Sequence, residues 1–224
     1  MRTESTVTNR LKSREQAGQL IGEKLASYSG RSDVLVLGLP RGGVSVAYEV
    51  AKLLRAPLDV LLVRKLRVPG FEDFSMGTIS IGTAASINQD MVEEFGLSQI
   101  DIEKVIVAER REIERLNNVY REQRQPLDLR NQTAILVDDG MATGATMRAA
   151  IMAARQLGAN QVVAAVGVAP LSTFLLLEPE ADEVVCLLTP REVRATHLFY
   201  EAFPVITERD VKTLLNPVHG AASA

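Results

Sequence analysis

Five short apolar runs recur along the chain, separated by stretches with helical periodicity. They cover residues 34–37, 58–63, 134–137, 162–168 and 184–188. Continuous runs of Val, Leu, Ile and Ala of this length are typical of strands buried on both faces. Strands that alternate with helices predict an α/β fold, with a parallel sheet, right-handed crossovers and flanking helices.

The first helix is predicted before the first apolar run. Ser13 and Gln16 have the spacing of a capping box, and a face with helical spacing follows until about Gly30. That face consists of Ala17, Leu20, Ile21, Leu25 and Tyr28. A second helix is predicted over residues 44–55, directly after the first strand.

The segment between the second and third apolar runs is long and has a pattern of its own. Residues 76–81 alternate like an exposed strand. A charged stretch follows, in which Ile102, Ile106, Ile113, Leu116 and Tyr120 keep a spacing near one helical turn. This spacing predicts a long amphipathic helix whose mixed charges face solvent. We interpret residues 75–130 as an insertion within a single domain that covers residues 1–224.

Composition narrows the functional classes. The 224 residues are 46% hydrophobic, which excludes a disordered chain, and the net charge of −3 gives no general attraction to nucleic acid. No segment is apolar over the length of a membrane span, and no apolar leader follows Met1. The single cysteine, Cys186, is predicted to be a buried strand residue. We therefore expect a cytoplasmic protein that binds neither membrane nor nucleic acid.

The most informative motif follows the third apolar run. Two carboxylates, Asp138 and Asp139, precede a turn of glycines and small residues that opens into a helix. Backbone N–H groups of such a turn, together with the positive end of the helix, form a site for a phosphate. The carboxylates can accept hydrogen bonds from two neighbouring sugar hydroxyls. The turn consists of Gly140, Met141, Ala142, Thr143, Gly144, Ala145 and Thr146.

Other interpretations of this motif are weaker. The acid pair could simply cap the helix. No Lys follows Gly144, so the loop of nucleoside triphosphatases is absent, and no G-x-G-x-x-G follows a strand. The motif therefore predicts a site for a phosphorylated sugar.

A second glycine loop follows the first strand. Arg41, Gly42 and Gly43 precede the second helix, and Arg41 is the only charged residue of the loop. A guanidinium beside exposed glycine amides suits a pyrophosphate. On its own the Gly-Gly pair could equally be an ordinary turn. Because both loops follow strands of one parallel sheet, we expect them at the same edge of that sheet.

Residues 137–146 resemble the signature of type I phosphoribosyltransferases for phosphoribosyl pyrophosphate (PRPP), and Arg41-Gly42-Gly43 is similar to the pyrophosphate loop of that family. Over about residues 11–216 the chain looks like a bacterial branch whose acceptors are poorly defined. The resemblance implies transfer of the phosphoribosyl group to a nitrogen acceptor, such as a nucleobase, with release of pyrophosphate. It also implies Mg²⁺ bound mainly through PRPP, with no metal cage made by the protein.

The resemblance assigns roles to individual residues. Asp138 and Asp139 would hold the ribose, residues 140–146 the 5′-phosphate, and Arg41 the leaving pyrophosphate. Residues 64–74 would form a mobile lid in which Lys65, or alternatively Arg67, contacts pyrophosphate. The family often has a non-proline cis peptide in the pyrophosphate loop, which predicts a cis or strained bond between Pro40 and Arg41.

One departure from the family leaves the acceptor open. Members that use 6-oxopurines carry an Asp where this chain has Ala142, so a side-chain base is missing. Acceptor recognition would come from a small hood over about residues 189–204. A noncatalytic module that senses PRPP is the alternative function. His197 and His219 are isolated and predict no zinc site. We expect a homo-oligomer, a dimer in the simplest case.

Overall fold

The computed structural model describes residues 10–122 and 124–216. Its eight strands are β1 (Val34–Gly38), β2 (Leu58–Val60), β3 (Val63–Val68), β4 (Phe71–Ser80), β5 (Ser86–Ile87), β6 (Thr133–Asp138), β7 (Gln161–Val168) and β8 (Glu183–Leu188). Its seven α-helices are α1 (Arg14–Lys24), α2 (Gly42–Leu54), α3 (Gln89–Glu94), α4 (Gln99–Arg121), α5 (Ala145–Gln156), α6 (Leu171–Leu177) and α7 (Glu208–Leu215).

Five strands form one parallel sheet in the order β2-β1-β6-β7-β8, which confirms the predicted fold class. The strand order reverses between β1 and β6. In open α/β sheets, ligands bind outside the carboxyl ends of the strands at such a switch point. One glycine loop follows β1 and the other follows β6, so the topology places the two loops side by side at this switch point.

Successive side chains of the sheet strands belong to two hydrophobic cores, one on each face of the sheet. Val36, Ile135 and Val163 pack with α1 and α2 on one face, whereas Leu136 and Ala164 pack with α5 and α6 on the other. Burial on both faces is the reason the strands appear in the sequence as continuous apolar runs.

A third core lies beyond the edge of the sheet, where the antiparallel strands β3, β4 and β5 pack with α4 and α7. Here the predictions from sequence need correction. The second strand ends at Val60, and the antiparallel hairpin already begins at Val63, not near residue 75. Residues 64–74, predicted as a lid loop, lie mostly in its strands. Met76 and Ile79 are buried, so β4 is not an exposed strand.

Helix α4 follows its predicted pattern. Ile102, Ile113, Leu116 and Tyr120 are buried, and Ile106 is partly buried against the same core. The Ser98 side chain caps its amino end by accepting from the N–H of Asp101. The apolar residues of α4 therefore form the helix face that packs on the hairpin, as their spacing predicted.

An internal ion cluster ties the end of α4 to β2. The Arg121 guanidinium lies 3.1 Å from the Asp59 carboxylate, and both residues are buried. Arg124 adds a second contact to Asp59 at 3.3 Å and donates to the carbonyl of Leu58. The long insertion is thus anchored to the parallel sheet by buried charges.

The first helix differs from its prediction in detail. Ser13 accepts from the N–H of Gln16, as in a capping box, but the Gln16 side chain accepts from Lys12 instead of Ser13. Helix α1 ends at Lys24, and a 3₁₀ turn over Ala26–Tyr28 continues towards Gly30. Cys186 lies in β8 as predicted but is only partly buried, and burial raises the pKa of its thiol to about 11.

Within residues 10–122 and 124–216, no helix is long and apolar enough to cross a membrane. The start of the chain at Met1 and the residue His219 lie outside this range.

Candidate active site

Two loops form the centre of the candidate site, one after β1 and one after β6. The first runs from Gly38 to Gly42, where α2 begins, and its Pro40–Arg41 peptide is cis, as predicted. The second runs from Asp138 to Ala145, where α5 begins. Since β1 and β6 are hydrogen-bonded neighbours, both loops leave the same edge of the sheet.

The two loops touch each other through glycines. A Cβ on Gly42 would lie 1.9 Å from Oδ2 of Asp139, and a Cβ on Gly43 would lie 2.6 Å from the carbonyl oxygen of Val137. The sequence led us to expect glycine amides that face a pyrophosphate. The structure adds a reason for glycine at both positions, because their missing side chains let the first turn of α2 pack directly on the acid pair.

The turn after β6 has the form of an anion cradle. Gly144 adopts a left-handed conformation with φ 73° and begins α5. The N–H groups of Ala142, Thr143 and Gly144 donate to no residue in the described part of the chain. Ala142 and Thr143 are exposed, so their N–H groups can reach a ligand, whereas Gly144 is buried. The N–H of Thr146, in the first helical turn, also donates to no other described residue.

Other residues hold the cradle in shape. Met141 was predicted to bind PRPP, but its side chain is buried and its N–H donates to the carbonyl of Val168 at 2.9 Å. Thr173, which the sequence did not single out, donates its hydroxyl to the carbonyl of Ala142 at 2.8 Å. Both residues therefore support the turn instead of offering a donor to a ligand.

The two carboxylates have unlike surroundings. Asp138 accepts from the backbone N–H of Asp139 at 2.8 Å and faces no cation within hydrogen-bonding distance in the described structure. Burial, and secondly the negative charge of Asp139, raise the pKa of Asp138 well above the ordinary value of an aspartate.

Asp139 has a buried cationic partner. Nε of Arg14 lies 2.7 Å from Oδ2 of Asp139, and the two residues are only 7% and 9% exposed. The guanidinium also donates to the carbonyl of Pro204 at 2.7 Å and lies 3.6 Å from the ring centroid of Phe203. Arg14 therefore joins the amino end of α1, the acid pair and the hood.

Tyr200 holds the backbone of the same acid. Its hydroxyl donates to the carbonyl oxygen of Asp139 at 2.6 Å, and burial raises the pKa of this phenol. Gly167 permits the contact, because a Cβ there would lie 2.1 Å from the Tyr200 oxygen. Hood residue Thr196 packs on Gly140. The hood thus rests directly on the loop that carries Asp139.

Arg14 and Tyr200 were not predicted as site residues, although the position of Arg14 in the sequence indicated a buried arginine. Arg14 precedes Ala17, Gly18 and Ile21 on the buried stripe of α1, where a lone arginine needs a partner. Its partner is 125 residues away, so no local pattern could identify it.

Arg41 lies between two clefts, each with a volume of about 280 Å³. The hood cleft is lined by Arg14, Arg41, Gly42 and residues 203–206. The insertion cleft is lined by Pro40, Arg41, Leu62, Val63, Arg64, Glu112, Leu116, Tyr120 and Glu208. Arg41 is exposed and forms no ion pair with any other described residue, so its charge is available to a ligand.

Lys65 is not brought to these clefts. It is exposed on β3 and lines neither of them, whereas the adjacent Arg64 lines the insertion cleft. Successive side chains of a strand point to opposite faces, which separates the two cations. Arg64 is held by Glu109, with 2.6 Å between Nε and Oε2. Arg67 donates to the carbonyl of Glu72 within the hairpin.

Comparison with known proteins gives the family. The family model described as phosphoribosyl transferase domain matches residues 6–195, most of the chain and both loops of the candidate site. The chain belongs to the phosphoribosyl transferase family. The end of the hood and α7 lie beyond the matched part of this phosphoribosyl transferase domain.

Two relatives from different strains of Mycobacterium tuberculosis are provisionally named phosphoribosyl transferases. Each is 41% identical over 206 residues, which is 92% of this chain but only 46% of the relative. The chain thus spans about half the length of these relatives. A crystal structure of the protein TT1426 from Thermus thermophilus is similar with a TM-score of 0.78 and 36% identity, over 92% of this chain and 97% of that one.

Proposed function

We propose that this phosphoribosyl transferase domain transfers the phosphoribosyl group of PRPP to a nitrogen atom of a nucleobase or a related heterocycle, releasing pyrophosphate. The observation that carries the proposal is the contact between the two loops. A phosphate cradle with an acid pair lies directly against a glycine loop that carries a free arginine. PRPP has a phosphate, two ribose hydroxyls and a pyrophosphate in the corresponding order.

The proposed roles follow from the surroundings of each residue. The free N–H groups of residues 142–144 and the start of α5 bind the 5′-phosphate. Asp138 and the remaining oxygen of Asp139 accept from the ribose hydroxyls. Arg41 stabilises the charge that develops on the leaving pyrophosphate. Most of the rate enhancement is then positional and electrostatic.

The residues fit a Mg²⁺ ion carried by the substrate. No group of three or more His, Cys, Asp or Glu residues that could hold a metal occurs in the described part of the chain. Mg²⁺ commonly binds through one or two carboxylates plus substrate phosphates. Asp138 is the suitable carboxylate here, because Asp139 is engaged by Arg14. When bound, Mg²⁺ would neutralise charge on the pyrophosphate.

A PRPP sensor without catalytic activity is the second candidate. It is favoured by Ala142, which leaves the cradle without a side chain that could take a proton from the acceptor. Such a sensor would keep the cradle and the acid pair, and Arg41 would contribute to PRPP binding but not to any turnover. The two functions therefore differ in what the loss of Arg41 changes.

Pyrophosphate release from PRPP, measured over a panel of nucleobases with and without Mg²⁺, tests the proposal. We expect turnover with at least one base, and loss of turnover when Mg²⁺ is chelated. Arg41→Ala should lower the rate on the order of 10²-fold, the usual cost of removing a preorganised charge stabiliser. Thr143→Ala should weaken PRPP binding by about 0.5–1.5 kcal/mol, the usual value of one hydrogen bond.

Arg130→Gln is the matched control, because Arg130 is exposed and lies before β6, at the opposite end of that strand from Asp138. It should leave both binding and turnover unchanged. Tight PRPP binding without turnover on any base, with Arg41→Ala weakening only that binding, would identify the sensor. Absence of PRPP binding would remove both functions.

A further inference from the structure

The hood cleft has an unusual lining for a site that must admit a nitrogen heterocycle. Its charged residues are Arg14 and Arg41, and no carboxylate lines it. Arg14 is more than nine-tenths buried, with Nε donating to Asp139 and Nη1 to Pro204. Its Nη2 atom donates to no residue in the described ranges, although the guanidinium lines the cleft. The cleft therefore contains an unused cationic donor.

The position of the cleft relates it to the reacting carbon of PRPP. Arg41 and Gly42 belong to the proposed pyrophosphate loop, and Gly42 packs on Asp139, which is proposed to bind ribose. Phe203 and Pro204 of the hood form the facing wall. A nucleophile that attacks the ribose carbon as pyrophosphate leaves must lie beside the ribose and under the hood. The hood cleft meets both conditions.

Under the hood, where the family resemblance places the acceptor, we infer that Arg14 selects a planar nitrogen heterocycle with an oxo or carboxylate oxygen over the analogue with an amino group. This inference rests on the function proposed above. A guanidinium has five N–H donors and no acceptor. An oxo or carboxylate oxygen would accept a hydrogen bond from Nη2. An amino group would instead place its own N–H donors opposite the N–H donors of Nη2.

The size of the preference follows from the cost of an unpaired buried donor. The Nη2 atom of Arg14 reaches solvent in the unliganded protein, and a bound acceptor would cover it. A donor that is covered without a partner commonly weakens binding on the order of 10- to 100-fold. The stacking of Arg14 on Phe203 and its bond to Pro204 fix the plane of the guanidinium, so it cannot turn away from a mismatched acceptor. The bond to Asp139 makes Arg14 a positioning residue for the ribose as well.

Matched acceptor pairs test the inference in the full-length chain with Mg²⁺ and PRPP. Uracil and cytosine differ in an oxo and an amino group at one ring position, as do hypoxanthine and adenine. We expect the oxo member of at least one pair to have the higher kcat/KM, by about 10-fold or more. Preference for cytosine and adenine would overturn the inference while leaving transfer itself intact.

Arg14→Lys and Arg14→Gln separate selection from a structural role. A lysine has a single compact ammonium in place of the planar fork whose separate nitrogens face Asp139, Pro204 and the cleft, so the oxo-to-amino ratio should fall at least tenfold. Equal loss on both members of a pair, with an unchanged ratio, would show that Arg14 only supports the fold, and would overturn the inference. Arg130→Gln is again the control and should keep the wild-type ratio.

Binding measurements decide the case in which no turnover is seen. Saturation-transfer NMR on the wild-type protein with PRPP would then compare the members of each pair directly. Weaker binding of uracil and hypoxanthine than of their amino partners, or no binding of any of them, would overturn the inference. Failure of PRPP itself to bind would remove the proposed function, and the inference with it.

Discussion

At the scale of single residues, two adjacent aspartates of one motif have different environments. Asp139 is paired with Arg14, whereas Asp138 is partly buried, has no cation within hydrogen-bonding distance in the described structure, and has a raised pKa. An unpaired charge that is partly removed from solvent costs folding free energy. Asp138 therefore lowers the free energy of unfolding of the unliganded protein, while it supplies a carboxylate for the proposed ligand.

The pH dependence of stability should reveal this cost. Between the ordinary aspartate pKa of about 3.9 and its raised value, Asp138 binds more proton in the folded than in the unfolded chain. Its contribution to stability therefore falls as pH rises through that window. Asp138→Asn should stabilise the unliganded protein at pH 7 by about 1–3 kcal/mol, and the gain should shrink towards pH 4. Urea unfolding at several pH values measures both effects.

Asp73→Asn provides the comparison, because Asp73 is exposed in β4. It should change the free energy of unfolding by less than about 0.5 kcal/mol, the usual range for a surface substitution. A destabilised Asp138→Asn protein at pH 7 would contradict the assigned cost. The same variant should also bind PRPP more weakly if Asp138 holds the ribose.

The sequence was informative about residues whose partners are local. The acid pair, the cradle and Arg41 could be predicted as site residues because each stands within a few residues of the glycines that define its loop. Arg14 and Tyr200 were missed because their contacts with Asp139 join segments far apart in the chain. The packing role of Gly42 and Gly43 could not be predicted for the same reason, since the atoms they avoid belong to β6 and the loop that follows it.

At the scale of elements, helical and strand periodicity gave the sheet and α4 correctly but not the beginning of the hairpin. The apolar run of residues 58–63 is interrupted only by Asp59, although it contains β2, a two-residue connection and the start of β3. Leu61 and Leu62 are buried at the crossing, so hydrophobicity alone does not mark where one sheet ends. Only the contact of β3 with β4 and α4 defines that boundary.

The ion cluster at the end of α4 should be important for stability. Asp59→Asn leaves Arg121 buried without its counter-charge, which typically costs about 3–5 kcal/mol. We expect a large decrease in the urea midpoint, with loss of structure in α4 and the sheet together. Arg115→Gln removes exposed ion pairs to Glu112 and Glu208 instead and should cost less than about 1 kcal/mol. Similar costs for both variants would contradict the anchoring role.

At the scale of the whole molecule, the switch point of the parallel sheet brings together segments that lie far apart in the chain. The first loop follows β1, and the second follows the entire insertion and β6. Parallel pairing of β1 with β6 explains how both loops reach one edge. The insertion adds the wall of the second cleft beside Arg41.

Hydrogen exchange can show whether one ligand engages both loops. PRPP should slow amide exchange in residues 38–46 and 138–147, because its phosphate and pyrophosphate would occupy different loops. Ribose 5-phosphate lacks the pyrophosphate and should protect the second loop more strongly than the first. Mass spectrometry of peptides from the two regions measures the difference. Equal protection of both loops by the two ligands would argue against the proposed division.

The contact between Gly42 and Asp139 also has a consequence for how this chain can change over generations. A methyl group at position 42 would overlap the carboxylate at position 139, so position 42 cannot gain a side chain while the aspartate stays in place. Related chains with a side chain at position 42 should therefore carry a smaller residue at position 139. In such chains the loss of the carboxylate should come before the gain of the side chain, never after it.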